Sequence, residues 1–496
     1  MNKLFLRGGL FAALALLAGC SVGPNYHQPA PVALPSDWRW KLAQPCDDLP
    51  KGAWWELFGD PELNQLEQRA AAQNQDLKAA VARVDEARAR ARLSGAEFFP
   101  QLTFDPSYTR TQPTTDNPQF AKIPIPGILK RFEPDNSFSV PLDLSYEIDI
   151  WGRVRRSFES AQAQAQASVA DYQNVLLTLN SDVAVEYLTL REYDSERQIL
   201  EDTVKVRTEA LRINRVRVEA GRATNVDVEQ AATDLTNAEA DLADVEQSRA
   251  ETADALAVLC GTNPGDLELP ARPLDLAPPM VPAGLPSTVL ERRPDVAEAE
   301  RNMAAKNALI GVAYAAFFPR VTLTGQGGYL SAKASDLFDW TNTVWQFGPS
   351  ISFPVFEGGQ NLSNLQIARA QYNQSVAAYR GSVLSAVKDV EDALADLRFL
   401  ARKTAALHES VQSARLATDL QRKRFLVGQT NYTDVIVADE TRLSTERNAS
   451  QVHGQQLYAT VRLIKALGGG WDARELAPER PAPIPFGSEA KLPQKP

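Results

Sequence analysis

Apolar side chains along this chain follow two rhythms. Over Gly152–Glu219 and Gly359–Val427 they recur every third or fourth residue, as in Val175, Leu179 and Val183 or Val383, Val387, Val390, Leu394 and Leu397. That is the spacing of one face of an α-helix. Neither stretch holds a proline, and each is followed by a glycine turn and a second long periodic stretch, Thr224–Leu259 and Thr430–Leu467. The pattern predicts two hairpins of helices far longer than the globular norm, read as coiled coils or staves of an α-helical barrel. At 1.5 Å per residue, each first arm would extend about 100 Å.

The second rhythm has period two. Ser137–Ile150 alternates through Leu142, Leu144, Tyr146, Ile148 and Ile150, and Leu102–Arg110, Val321–Ser331 and Thr343–Phe356 read as further strands. Their lengths suit tilted membrane strands of about 9–11 residues. A soluble antiparallel sheet has the same alternation, so the pattern alone leaves both open. A helix is predicted ahead of each strand pair, over Pro61–Glu97 and Ser287–Ala316, and Pro100 and Pro319 stop it.

These elements occur twice in the same order. Phe98-Phe99-Pro100 returns as Phe317-Phe318-Pro319, Gly152 as Gly359 and Gly221 as Gly428. A period this large means two similar units rather than a short solenoid. The expected organisation is a signal segment (1–19), an N-terminal segment (20–60), a first repeat (61–260) and a linker (261–286). A second repeat (287–467) and a C-terminal tail (468–496) complete it.

The N-terminus reads as an address. Lys3 and Arg7 precede a short apolar core ending in Leu17-Ala18-Gly19-Cys20. This is too short to span a bilayer and has the flanks of a signal peptide. Its end resembles a bacterial lipobox, which makes Cys20 the expected lipidation site and a diacylglycerol anchor its consequence. Ser21 in place of Asp favours sorting to the outer membrane, again by resemblance to bacterial lipoproteins. No other segment is apolar for about 18 continuous residues, which excludes an inner-membrane helical bundle.

Composition removes other classes. The net charge of -10 argues against a nucleic-acid partner. Three widely separated histidines and three cysteines without zinc-type spacing predict no metal site. No hydrolase, P-loop or dinucleotide fingerprint occurs, so neither an enzyme nor a cofactor is expected. Cys46 and Cys260 share an oxidising compartment, where a bridge is chemically allowed. Trp54, Trp55 and Phe58 are expected to pack the entry to the first helix, and Trp340 and Trp345 are candidates for an aromatic belt.

Four strands cannot close a barrel, and hydrocarbon does not tolerate open sheet edges. Several copies must then share one barrel, and a closed barrel continued by long helices is a conduit.

The motifs agree with this geometry. Cys20-Ser21-Val22-Gly23-Pro24-Asn25-Tyr26, Trp54-Trp55-Glu56-Leu57-Phe58-Gly59-Asp60-Pro61 and Glu291-Arg292-Arg293-Pro294-Asp295-Val296 lie in order, followed by Gly311-Val312-Ala313 and Phe317-Phe318-Pro319. The chain resembles the outer-membrane factor family of TolC/NodT type, and within it the lipoprotein channels of RND multidrug efflux systems. The resemblance runs from Cys20 to about Leu467. It implies a mainly α fold with membrane β-structure: a homotrimer with a 12-stranded β-barrel continued by a long α-helical barrel. It also implies a periplasmic adaptor, an inner-membrane RND transporter and outer-membrane lipids as partners. The implied role is a passive exit duct for drugs or other small toxic compounds. A channel for type I protein secretion or for heavy-metal efflux is the alternative.

The same resemblance places two hairpin tips at the periplasmic end. The docking residues carried over are Gly221, Arg222, Thr224, Gly428 and Thr430. The gate candidates are Arg424, Tyr432, Asp434, Asp439 and Asp227. The plainer role for Asp227 and Asp434 is to stabilise the helix starts beside them. Val437 stands where many relatives have Asp, and Arg442 replaces a usual Leu, so a different arrangement of gate bonds is expected.

Overall fold

A computed structural model describes residues 21–28, 38–40, 52–112, 134–281, 293–469 and 471. Cys20, Cys46 and the C-terminal tail beyond residue 471 lie outside them. The described residues fall into two compact units. One lies within Met1–Pro29, Glu86–Ala165 and Arg301–Ala377, the other within Ala30–Asp85, Gln166–Glu300 and Ala378–Pro496.

The elements follow the predicted order with two added breaks. A short 3-10 turn at Trp54–Phe58 precedes α1 (Pro61–Gln73) and α2 (Gln75–Ala96). Strands β1 (Gln101–Phe104), β2 (Ser107–Thr111) and β3 (Asp135–Glu147) lead into α3 (Arg153–Glu219) and α4 (Asn225–Leu259). The second repeat is α5 (Pro294–Ala315), β4 (Arg320–Ser331), β5 (Thr343–Ser352), α6 (Gln360–Leu426) and α7 (Tyr432–Ala466). Where one first helix was expected there are two. Asn74 ends α1 and starts α2: its Oδ1 accepts from Leu77 N–H at 2.9 Å and its Nδ2 donates to Leu259 O at 3.0 Å. Where one first strand was expected, Asp105-Pro106 splits it, because proline has no N–H for the ladder.

In the first unit the sheet is antiparallel. β3 takes β1 and β2 on one side and β4 on the other, and β4 also pairs β5. The register sorts the two faces. Leu142 and Leu144 of β3, Gly327 and Gly325 of β4 and Trp345 and Phe347 of β5 lie in matching rows. Asp143, Gln326 and Gln346 fill the row between them on the other face. Trp345, Phe347 and Ile351 are exposed, so the apolar face has little cover among the described residues. No helix among the described residues is long and apolar enough to cross a membrane.

The VGPNY segment is a strap laid along this unit. Val22 N–H bonds Trp151 O at 3.1 Å, Asn307 Nδ2 donates to Pro24 O at 3.2 Å and Arg156 Nη2 donates to Asn25 Oδ1 at 2.6 Å. Gly23 and Gly152 have positive φ and backbone packed against them, by Gly311 and Ser21 respectively. A side chain at either site would be strained and would also collide.

The second unit holds the main apolar core, with Trp54, Phe58, Leu63, Tyr187, Leu188, Leu457 and Ile464 buried together. Beneath it lies a network of charges. Arg191 bonds Asp194 at 2.8 Å and Glu62 at 2.5 Å, and Arg249 bonds the other Asp194 oxygen at 2.6 Å. Arg293 of the ERRPDV motif ties Asp295, Asp389 and Ala466 O, which fixes the start of α5 on α6 and α7. Cys260 is a free, buried thiol that donates to Leu66 O, and burial pushes its pKa up to about 11.

Glu67 is different. It is fully buried and neither carboxylate oxygen has a partner. Burial lifts its pKa well above the ordinary carboxylate range. An unfolded glutamate releases its proton above about 4.3, while the folded one holds it to higher pH. Stability from this residue is therefore full at low pH and falls as pH rises through the folded pKa. Glu67→Gln cannot ionise, and is expected to raise the melting temperature more at about pH 8 than at about pH 5. Equal shifts at both would show that another group carries the slope.

Candidate functional site

Both tips are built the same way and belong to the second unit. At the end of α3, Gly221 N–H bonds Val218 O at 2.9 Å and Arg222 N–H bonds Arg217 O at 2.7 Å. At the end of α6, Gly428 N–H bonds Phe425 O at 3.0 Å and Gln429 N–H bonds Arg424 O at 2.8 Å. This is the Schellman ending, and both glycines take the positive φ it requires. The returning helices start on acid-capped turns. Thr224 donates to Asp227 at 2.8 Å from both its N–H and its hydroxyl, and the Thr430 hydroxyl donates to Asp434. Asp227 and Asp434 are thus engaged locally. Val226, Leu426 and Val427 stand exposed at the tips.

Behind the tips the two hairpins are joined by a small apolar cluster of Leu211, Ala231, Tyr432 and Val435. Tyr432 packs on Phe425, ring centroids 5.5 Å apart, and the Arg217 guanidinium lies 4.2 Å from the Phe425 ring. The phenol of Tyr432 is pushed up to about 12, first by burial and then by Asp234 and Asp439.

Farther from the tips, three arginines converge on Asp439. Arg422 of α6 approaches to 2.7 Å, Arg442 of α7 to 3.1 Å and Arg207 of α3 to 3.6 Å. Arg207 also bonds Glu440 and donates to Asp234 O at 2.7 Å. Arg442 continues to Glu446 at 2.8 Å, which Arg415 meets at 2.6 Å. The side-chain Oδ2 of Asp234 is buried without a hydrogen-bond partner, and burial raises the pKa of this carboxyl group. One buried carboxylate therefore ties helices from both hairpins.

Of the gate candidates, the structure brings Tyr432 and Asp439 to the contact between the hairpins. Asp227 and Asp434 stay at their own turns. Arg424 is exposed, and the α6 arginine on Asp439 is Arg422. Val437 is exposed, while Arg442 supplies two of the ties. Arg207, Arg422 and Glu446 were not singled out in the sequence. Arg207 and Asp439 lie at comparable distances from their own tips, which is the signal that pairs them once the tips are level. Among the described residues no cluster could hold a metal ion.

A two-faced membrane-type sheet with long helical hairpins defines an outer-membrane channel protein. The sequence profile described as "Outer membrane efflux protein" matches residues 66–262 and 285–469, one match for each repeat. The chain belongs to the outer membrane efflux protein family. It is 33% identical over 480 residues to the pyoverdine export outer membrane protein OpmQ of Pseudomonas aeruginosa, covering 94% of this chain and 97% of that one. It is 32% identical over 474 residues to the toluene efflux pump outer membrane protein TtgI of Pseudomonas putida, covering 93% and 98%. The solved outer-membrane channel OprN superposes with a TM-score of 0.83 at 28% identity, over 91% of this chain and all of that one.

Proposed function

We propose that three copies of this chain close into one duct that carries small toxic organic compounds out across the outer membrane. A periplasmic adaptor and an inner-membrane RND transporter feed it at the tips. The observation that carries this reading is the sheet with two open edges: among the described residues, β1/β2 and β5 are each paired on one side only. Edges of this kind must be paired in hydrocarbon, and a second copy supplies the missing strand. Twelve strands fall within the range of outer-membrane barrels. The names of OpmQ and TtgI support a small-molecule cargo over a secreted protein. Native mass measurement in detergent should give three chains. A membrane-inserted monomer would sink the reading.

In this reading Cys20 carries the lipid anchor. Support comes from the lipobox that ends at Cys20 and from the next residue, Ser21, which packs against Gly152 just past the end of β3. Mass spectrometry of the mature chain should show the acyl mass on Cys20 and its loss in Cys20→Ala. Trimers of that variant are expected to persist, because the barrel also anchors the protein. The resting pore is closed at the tips, and the Asp439 ties hold it.

A further inference from the structure

Within one chain, α3 and α7 join the two hairpins along an antiparallel seam. Near the tips Arg207 of α3 faces Asp439 of α7, and farther back Glu196 of α3 meets Arg447 of α7 at 2.5 Å. Farther still, Lys465 of α7 lies close enough to Asp182 of α3 to favour its ionised form. Each of these crossings sets a cation against a carboxylate. Between the last two, one crossing does not: Glu192 of α3 accepts a hydrogen bond from the Tyr458 hydroxyl of α7.

The backbone of α7 comes right up to this carboxylate. Gly454 sits one turn before Tyr458, and a Cβ there would collide with Glu192 and crowd the Tyr458 hydroxyl. A glycine weakens the interior of a helix. Here it makes the notch that holds the Glu192 carboxylate.

Among the described residues no cation forms an ion pair with Glu192, and Glu196 adds like charge. The other polar groups around it on α3 are Glu186, Thr189 and Tyr193. On α7 the titratable residues within a turn of Gly454 are His453 and Tyr458. Arg447, the next cation on α7, is engaged by Glu196 and by Asp241 of α4. On α4, Arg249 is engaged by Asp194, and Glu246 by Arg197. The charged residues of α6 at the repeat-equivalent turns, Asp396, Arg398, Arg402 and Lys403, are all exposed. Burial pushes the Glu192 carboxyl up to about 7; the Tyr458 bond pulls the other way, and Glu196 adds to the rise.

We propose that Glu192 is a proton-binding site that sets how tightly the two hairpins of a chain hold together. Protonated, it closes the seam as a neutral pair with Tyr458. Ionised, it is a charge with one neutral donor and a second carboxylate nearby, and it draws water into the seam. A hydrated glutamate releases its proton near about 4.3, whereas the closed seam holds it to higher pH. The seam is therefore tightest in acid and loosens as pH rises through the folded value. Its consequence for conductance rests on the duct proposed above: loosening behind the tips weakens the gate.

Glu192→Gln is neutral at every pH and keeps both a partner for Tyr458 and His453. Amide hydrogen exchange of the full chain in detergent, read on the α7 segment around Gly454, should match between this variant and wild type at about pH 6. At about pH 8 the wild type should exchange several-fold faster than the variant. Single-channel conductance in planar bilayers should rise between the same pH values in wild type and stay at the low level in Glu192→Gln. Tyr458→Phe removes the donor that favours the ionised form, so its transition should move to higher pH, which a mere packing role for Glu192 would not produce. Equal exchange of wild type and Glu192→Gln at the higher pH, or a conductance slope that survives in Glu192→Gln, overturns the proton site. A wild type that conducts nothing, while its exchange follows the expected course, overturns the duct and supports the proton site.

Discussion

Replacing Asp439 by alanine is expected to raise the single-channel conductance in planar bilayers several-fold while trimers stay intact. Its carboxylate is the meeting point of Arg207, Arg422 and Arg442, from three helices and both hairpins. The Asp439 and Arg207 side chains are 9% and 7% exposed. Removing one partner of a buried pair costs about 3–5 kcal/mol, because the other charge is left uncompensated. Here three cations would face each other without their anion, so the hairpins should part where they now touch. Arg422 is a third exposed, and water weakens its share. Arg207→Ala should act in the same direction, since it also frees Glu440. Asp434→Ala loses only its bond to Thr430 and its place at a helix start, worth about 0.3–1 kcal/mol, and should leave conductance unchanged. Tyr432→Phe keeps the packing on Phe425 and should change little. Equal effects of Asp434→Ala and Asp439→Ala would remove the gate from the arginine cluster.

What the sequence made legible was local. The hairpin turns are visible because a helix that ends on glycine needs only its own last turn, and the ends at Gly221 and Gly428 fall where the periodicity stops. The strands are visible because alternation is a nearest-neighbour property, and their register keeps Leu142, Leu144 and Phe347 on one face. The break at Asn74 is not local: the side chain that divides the helix is held by Leu259, far along the chain. The same limit hides the site. Asp439 drew attention through its own neighbourhood, but Arg207 comes from the other repeat and carries no mark except its distance from Gly221. Arg442 was legible only as a departure from the family pattern, and the departure supplies ties. Arg422 and Arg424 lie two residues apart near the end of α6, and only the helical phase decides that Arg422 is the one that faces Asp439.

The largest stability loss is expected from Asp194→Ala. The Asp194 side chain is fully buried and accepts from Arg191 at 2.8 Å, Arg249 at 2.6 Å and the Arg272 N–H at 3.0 Å. Arg191 is itself 1% exposed, so it cannot turn to water when its partner goes. Its remaining bonds are to Glu62 at 2.5 Å and Pro270 O at 2.7 Å. The segment after α4 would also loosen, because Arg272 reaches on to Asp60 and the Tyr187 hydroxyl. Burial alone would raise the Asp60 carboxyl, but bonds from Tyr187, the Glu62 N–H and Arg272 bring it below its ordinary value. That part of the network stabilises the fold above about pH 4 and is lost as pH falls through the lowered pKa. Breaking the Asp194 hub should cost about 3–5 kcal/mol, seen as a drop in the thermal midpoint of helical circular dichroism. Arg83→Ala, which breaks a half-exposed pair with Asp171, is the control and should melt close to wild type. If Asp194→Ala melts with that control, the network contributes no more than surface pairs do, and the apolar core around Tyr187 and Leu188 alone holds α3 on α1.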